Sequence, residues 1–223
     1  MKRSSANRND FSARYHKTHV PSDKAYQSEE RPSTSSPLVP EALRHALDCL
    51  CPDDYMLFEQ IVLVHAPGTR FPTSKIDYLA VTPFGVFEIL MMNFQGNVRR
   101  GPDAETVRVL DEEGEVVLRT SPMRRQAATL RCLRALLLPQ ACPVEALAVP
   151  GYLPCLLDPL LPEAIMGVSE LYHYLRVRMM RFISSERERV DLTRAVDAIA
   201  TRVDARSEAL DEHRARMISV TSF

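Results

Sequence analysis

Residues 76–81 place Ile76, Tyr78 and Ala80 on one side of an extended chain and Asp77, Leu79 and Val81 on the other. That period of two is the period of a strand. Thr82-Pro83-Phe84-Gly85 follows as a turn, with proline pre-setting φ and glycine tolerating the return geometry. From Val86 the chain is apolar again: Val86, Glu88, Leu90 and Met92 share one face, and Phe87, Ile89 and Met91 take the other. A strand apolar on both faces belongs in the middle of a covered sheet. Glu88 is the exception, a carboxylate inside an apolar run, and Asn93-Phe94-Gln95-Gly96 ends the strand.

The flanking segments alternate helix and strand. In 40–50, Pro40 suits a first helical turn and Glu41 favours its N-terminus. Leu43, Ala46, Leu47 and Leu50 then form an amphipathic stripe. Pro52-Asp53-Asp54 breaks that helix, and 55–64 resumes as a strand. Segments 106–110 and 116–119 flank the acidic loop Asp111-Glu112-Glu113-Gly114, a hairpin pattern. The spacing predicts a helix over 122–138 with Met123, Ala127, Leu130, Leu133 and Leu137 inward and Arg124 and Arg131 outward, then a strand over 144–149. The leucine- and proline-rich stretch 151–162 reads as a packed loop. Helices are predicted over 168–182 and 186–217, the second with Leu192, Val196, Ile199, Val203 and Leu210 in a 4-3 alternation that Arg206 interrupts. Such a helix docks on its own domain or pairs as a short coiled coil, giving a homo-oligomer or a protein partner.

Composition narrows the class. With 223 residues and 45% hydrophobic content the chain can bury one substantial core. Residues 1–38 are expected to be a disordered tail, with seven Lys/Arg against four Asp/Glu before residue 37. The domain proper is expected over 39–175, with a helical C-terminal extension over 176–223. A formal charge of −1 gives no overall basic field to advertise a nucleic-acid partner. Cys49, Cys51, Cys132, Cys142 and Cys155 are scattered, C-x-C lacks the second pair of a zinc site, and buried reduced thiols are expected. No apolar run after Met1-Lys2-Arg3 resembles a secretory signal, and none is long enough for a membrane span, so the expected location is cytoplasmic.

Ile76-Asp77-Tyr78-Leu79, Gly85-Val86-Phe87, Asn93-Phe94 and Gly96, followed by Ser121-Pro122-Met123-Arg124-Arg125-Gln126, resemble the nuclease-related domain (NERD) family. The family is a branch of the PD-(D/E)xK nuclease-like fold. Its strand with an I-D-H-L-like motif turns into G-V-F-V-I-E-T-K-N, and an N-P-L-x-Q motif opens a later helix. The resemblance spans roughly 40–175, about one domain. It implies an α/β, restriction-endonuclease-like core: a central mixed sheet flanked by helices, in the order helix, three strands, helix, strand. It also implies divalent-metal chemistry on DNA, with Mg2+ or Mn2+.

The departures fall on the chemistry. In register, the family's glutamate lands on Leu90 and its lysine on Met92, and its early helix glutamate lands near Pro40, with Glu41 one residue away. Asp77 alone stands in place. Magnesium requires oxygen ligands; leucine supplies none, and methionine supplies a soft uncharged thioether. Asp77 and Glu88 are therefore the candidate catalytic and metal residues, with Glu41 or Glu59 as a third carboxylate. Asp77 is read equally as a polar residue bonding nearby backbone, and Glu88 as the partner of an arginine. The pair Met91-Met92 is read as core filler. Arg99, Arg100, Arg124 and Arg125 are the candidate DNA-binding residues, with Arg176, Arg178 and Arg181 as a later cluster. The expected function is a nuclease-related domain without efficient hydrolysis that binds DNA. The alternatives are an active nuclease with a migrated site and a scaffold module using the terminal helix.

Overall fold

Five helices and two mixed sheets make up the computed structural model, which describes residues 38–221 apart from 111, 112, 152, 153, 205 and 207. The expected tail and the tip of the acidic hairpin, Asp111 and Glu112, lie outside the described residues. Helix α1 (Leu38–Leu50) carries Pro40 and Glu41 in its first turn and buries Leu43, Ala46 and Leu47 completely.

Three strands follow as a meander: β1 (Met56–Val64), β2 (Thr73–Thr82) and β3 (Gly85–Met92). The turn between β2 and β3 is tied by Thr82, whose Oγ1 donates to the Gly85 carbonyl at 2.7 Å. Gly85 has φ 150°, and a Cβ there would stand 3.1 Å from the Pro143 carbonyl oxygen. That carbonyl accepts the Val86 N–H at 2.8 Å, which explains why glycine opens β3.

The chain then leaves to form a second sheet from β4 (Gly96–Arg100), β5 (Thr106–Leu110) and β6 (Val116–Thr120). Helix α2 (Pro122–Leu137) returns it to β7 (Val144–Pro150), which lies parallel to β3. Both β2 and β3 are paired antiparallel, with Tyr78 opposite Ile89 and Leu79 opposite Glu88.

Two later segments differ from the expectation. Within 151–162, β8 (Cys155–Leu157) pairs parallel with β4 and completes the second sheet in the order β6-β5-β4-β8. The helix expected over 186–217 is three elements: α4 (Leu192–Ala200), β9 (Val203–Asp204) and α5 (Ala209–Thr221). Val203 pairs with Leu63 and Asp204 with Val62, so the central sheet runs β7-β3-β2-β1-β9. The 4-3 alternation therefore crosses a strand and is no continuous coiled-coil seam. Helix α3 (Leu171–Ser184) contains the expected boundary at 175/176, and β9 joins the central sheet, so 176–223 is not a separate extension.

Both faces of the central sheet are covered. On one, Tyr78, Ala80, Phe87, Ile89, Leu147 and Val149 pack with α1 and with Leu171, Tyr174, Leu175 and Phe182 of α3. On the other lie α2, over β3 and β7, and α4, against α2 and β2. No helix among the described residues is long and apolar enough to cross a membrane.

Candidate functional site

Strand alternation brings Asp77 and Glu88 to the α2 face of the sheet, since Leu79, two residues from Asp77, lies opposite Glu88. Asp77 is 7% exposed and is held from two sides. Its Oδ2 accepts the Met91 N–H at 2.9 Å, just past the last paired residues of the β2–β3 ladder. Its Oδ1 stands 2.9 Å from Lys75 Nζ. Lys75 is two residues before Asp77, so the strand period gives both side chains one face. The backbone-bonding reading of Asp77 is the one the geometry matches.

Glu88 is 3% exposed and meets a threonine where an arginine was expected. Thr129 Oγ1 lies 2.7 and 2.8 Å from the two carboxyl oxygens of Glu88, and 2.7 Å from the Gln126 carbonyl. One hydroxyl proton cannot serve three acceptors. A neutral Glu88 that donates to Thr129, with Thr129 donating to the Gln126 carbonyl, places a proton in two of these three contacts, one more than a charged Glu88 allows. The electrostatics agree: burial pushes the Glu88 carboxyl up to about 7, the Thr129 hydrogen bond opposes this, and the Asp77 charge adds to it.

Gln126 completes the network. Its Nε2 donates to the Glu88 carbonyl at 3.2 Å and to the Leu147 carbonyl at 3.0 Å, joining α2 to β3 and β7. Its Oε1 is buried without a hydrogen-bond partner among the described residues. The inward stripe of α2 is thus Gln126, Thr129, Leu133 and Leu137, while Met123, Ala127 and Leu130 are half-buried at its margins. The expected stripe was turned because the helix aims polar side chains at a carboxyl group.

The positions matching the family's glutamate and lysine are filled with hydrocarbon. Met92 is fully buried with Ala148 and Ile165, and Leu90, Phe94, Met123, Leu157 and Leu161 pack around them. Met91 joins the opposite core, so the methionine pair is packing on both faces. Neither third carboxylate converges on Asp77: Glu41 is exposed in the first turn of α1, and Glu59 lies opposite Tyr78, on the other face, bonded to Arg44. No group of three or more His, Cys, Asp and Glu side chains able to hold a metal occurs among the described residues. In this arrangement neither carboxylate is free to take Mg2+ or Mn2+: Asp77 is engaged by an ammonium and an amide, and burial raises the pKa of Glu88.

One backbone feature adjoins the site. The β1–β2 register passes from Glu59 opposite Tyr78 to Ile61 opposite Ile76, and Gln60 between them has φ 52°. The left-handed region disfavours a residue with a long side chain. The residue facing this kink across the strands is Asp77.

The candidate DNA-binding arginines do not share one setting. Arg99 and Arg100 are exposed but alternate across β4, Arg124 is bonded to Glu105, and Arg125 is exposed at the start of α2. Arg178 is drawn inward, donating to Glu145 at 2.7 Å and to the Tyr174 hydroxyl at 2.7 Å, which leaves Arg176 and Arg181 outside. All five cysteines are free; Cys51 is buried, Cys49 is exposed, and Cys132, Cys142 and Cys155 are half-buried. Burial pushes the Cys51 and Cys142 thiols up to about 11, keeping both protonated.

The hydrophobic pattern of the sequence does not mark Lys75, Thr129 or Gln126 as partners of the two carboxylates. The signal for Lys75 was its i−2 spacing from Asp77, and for Thr129 its i+3 spacing from Gln126. Compared with protein-family models, curated proteins and solved structures, the chain matches none.

Proposed function

We propose that this chain is a nuclease-like α/β domain of the PD-(D/E)xK type whose hydrolytic centre is closed, and that it acts by binding rather than by cleaving. The order α1, β1–β3, α2, β7, with β7 parallel to β3, supports the fold reading. The observation that carries the functional reading is the engagement of both Asp77 oxygens by Lys75 and the Met91 amide. A carboxylate so held would have to surrender two partners to take a cation, and the hydrocarbon around Leu90 and Met92 offers no second ligand.

A second reading is favoured by Lys75 itself. A lysine beside Asp77 supplies a positive charge that Met92 lacks, so an active centre built from Asp77, Glu88 and Lys75 is the competing form. Plasmid nicking with Mg2+ or Mn2+ separates the two. The silent reading expects no cleavage above a chelator control. Cleavage that disappears in both Asp77→Asn and Lys75→Met would establish the migrated centre instead. DNA binding through Arg99, Arg100, Arg124 and Arg125 has less support, since Arg124 is tied to Glu105 and Arg99 and Arg100 are on opposite faces of β4.

A further inference from the structure

The second sheet has one buried face and one open face, and the open one is chemically mixed. Register puts Val98, Val109 and Val117 together on one side, where Val98, Val107 and Val109 are buried against Phe94, Cys155, Leu157 and Leu161. On the other side Arg99 lies opposite Arg108, and Arg108 lies opposite Leu118. The next row on that side contains Val116 at one edge and Leu156 at the other. Exposure is 57% for Val116, 55% for Leu118 and 67% for Leu156.

Single exposed aliphatic residues need no explanation, but three on one sheet face form a patch. Two arginines directly opposite one another repel and weaken a sheet. No carboxylate among the described residues is paired with Arg99 or Arg108. Glu105, at the start of β5, is already bonded to Arg124. The face thus retains two positive charges beside uncovered hydrocarbon, an arrangement completed by a partner that brings carboxylates and aliphatic side chains together.

We infer that the open face of the β6-β5-β4-β8 sheet is a docking surface for an acidic, aliphatic segment of another protein. Its carboxylates would pair with Arg99 and Arg108, and its aliphatic side chains would cover Leu118, Val116 and Leu156. Nucleic acid fits less well, because none of these side chains is aromatic and aliphatic groups offer bases no stacking platform. A second copy of the chain docking by the same face would set arginines against arginines. The inference does not depend on whether the Asp77 site is silent, since the two lie in different sheets.

A random peptide library displayed on phage, panned against the full chain, tests this. Enriched peptides should carry Asp or Glu among Leu, Ile or Val. Their affinity should fall roughly tenfold or more for the double variant Arg99→Glu with Arg108→Glu, and severalfold for Leu118→Ser. The neutral double variant Arg99→Gln with Arg108→Gln should fall between, which guards against a folding defect in the charge reversal. Enrichment without acidic residues, or binding indifferent to all three variants, would overturn the inference. So would a DNA duplex whose binding needs the arginines but not Leu118, or self-association lost in the same variants.

Discussion

The two faces of the central sheet solve the problem of a covered strand in different ways. Towards α1 and α3, Phe87 and Ile89 meet hydrocarbon, and the contact is set by volume. Towards α2, Glu88 meets Thr129 and Gln126, and Asp77 meets Lys75 and a backbone amide. Each polar atom there has a particular partner, and Gln126 Oε1 is an exception. Apolar packing tolerates small exchanges of shape, whereas a buried polar network is sensitive to the loss of one partner. The same contacts that let Asp77 and Glu88 stay inside the fold occupy their carboxyl oxygens.

The largest effect expected from this contrast is on the apolar side. Phe87→Ala should lower unfolding stability by about 3–5 kcal/mol, read from urea denaturation, because the ring is fully buried and its removal leaves a cavity.

Next comes Glu88. The folded chain holds its proton up to about pH 7, whereas the unfolded chain releases it near the ordinary value of 4.5. Between those values the folded state binds the extra proton, so stability falls as pH rises through this window and does not recover above it. Glu88→Gln should flatten that slope and raise stability at pH 8 by on the order of 2–3 kcal/mol. A slope unchanged by the substitution would show that Glu88 is charged in the fold.

Asp77 sharpens the comparison further. Asp77→Asn should cost about 1–3 kcal/mol, since it leaves Lys75 without its partner and weakens the bond to Met91 N–H. Lys75 is about a third exposed, so a double-mutant cycle with Lys75→Met should give a coupling of only about 1 kcal/mol. The smallest effect belongs to the neighbouring kink. Gln60→Gly should stabilise by up to about 1 kcal/mol, because glycine adopts the left-handed φ without a Cβ penalty.

The central hairpin was legible because its period of two and its Pro-Phe-Gly turn are local properties. So was α1, with its proline, its acidic first turn and its stripe of leucines. The α2 stripe was not, because Gln126 and Thr129 read as solvent-facing until Glu88 is placed opposite them. The terminal segment misled for a related reason: Leu192 to Leu210 keeps a helical alternation through Val203, and only pairing with Leu63 makes that residue a strand. β8 has three residues and is defined by a parallel neighbour far away in the chain. In the candidate site, Asp77 and Glu88 were visible as carboxylates in strands, but the pairing of Asp77 with Lys75 and the burial of Glu88 beneath α2 are matters of packing.

β9 carries a consequence for how the chain acquires its fold. The β1 edge pairs with Val203 and Asp204, although Val62 and Asp204 are separated by most of the folded sequence. Contacts of such long loop closure form slowly. During synthesis β1 therefore waits with a bare edge until β9 has left the ribosome, and a bare edge templates pairing between chains. A chain truncated after α3 would keep that edge permanently, and aggregation during expression would be its signature.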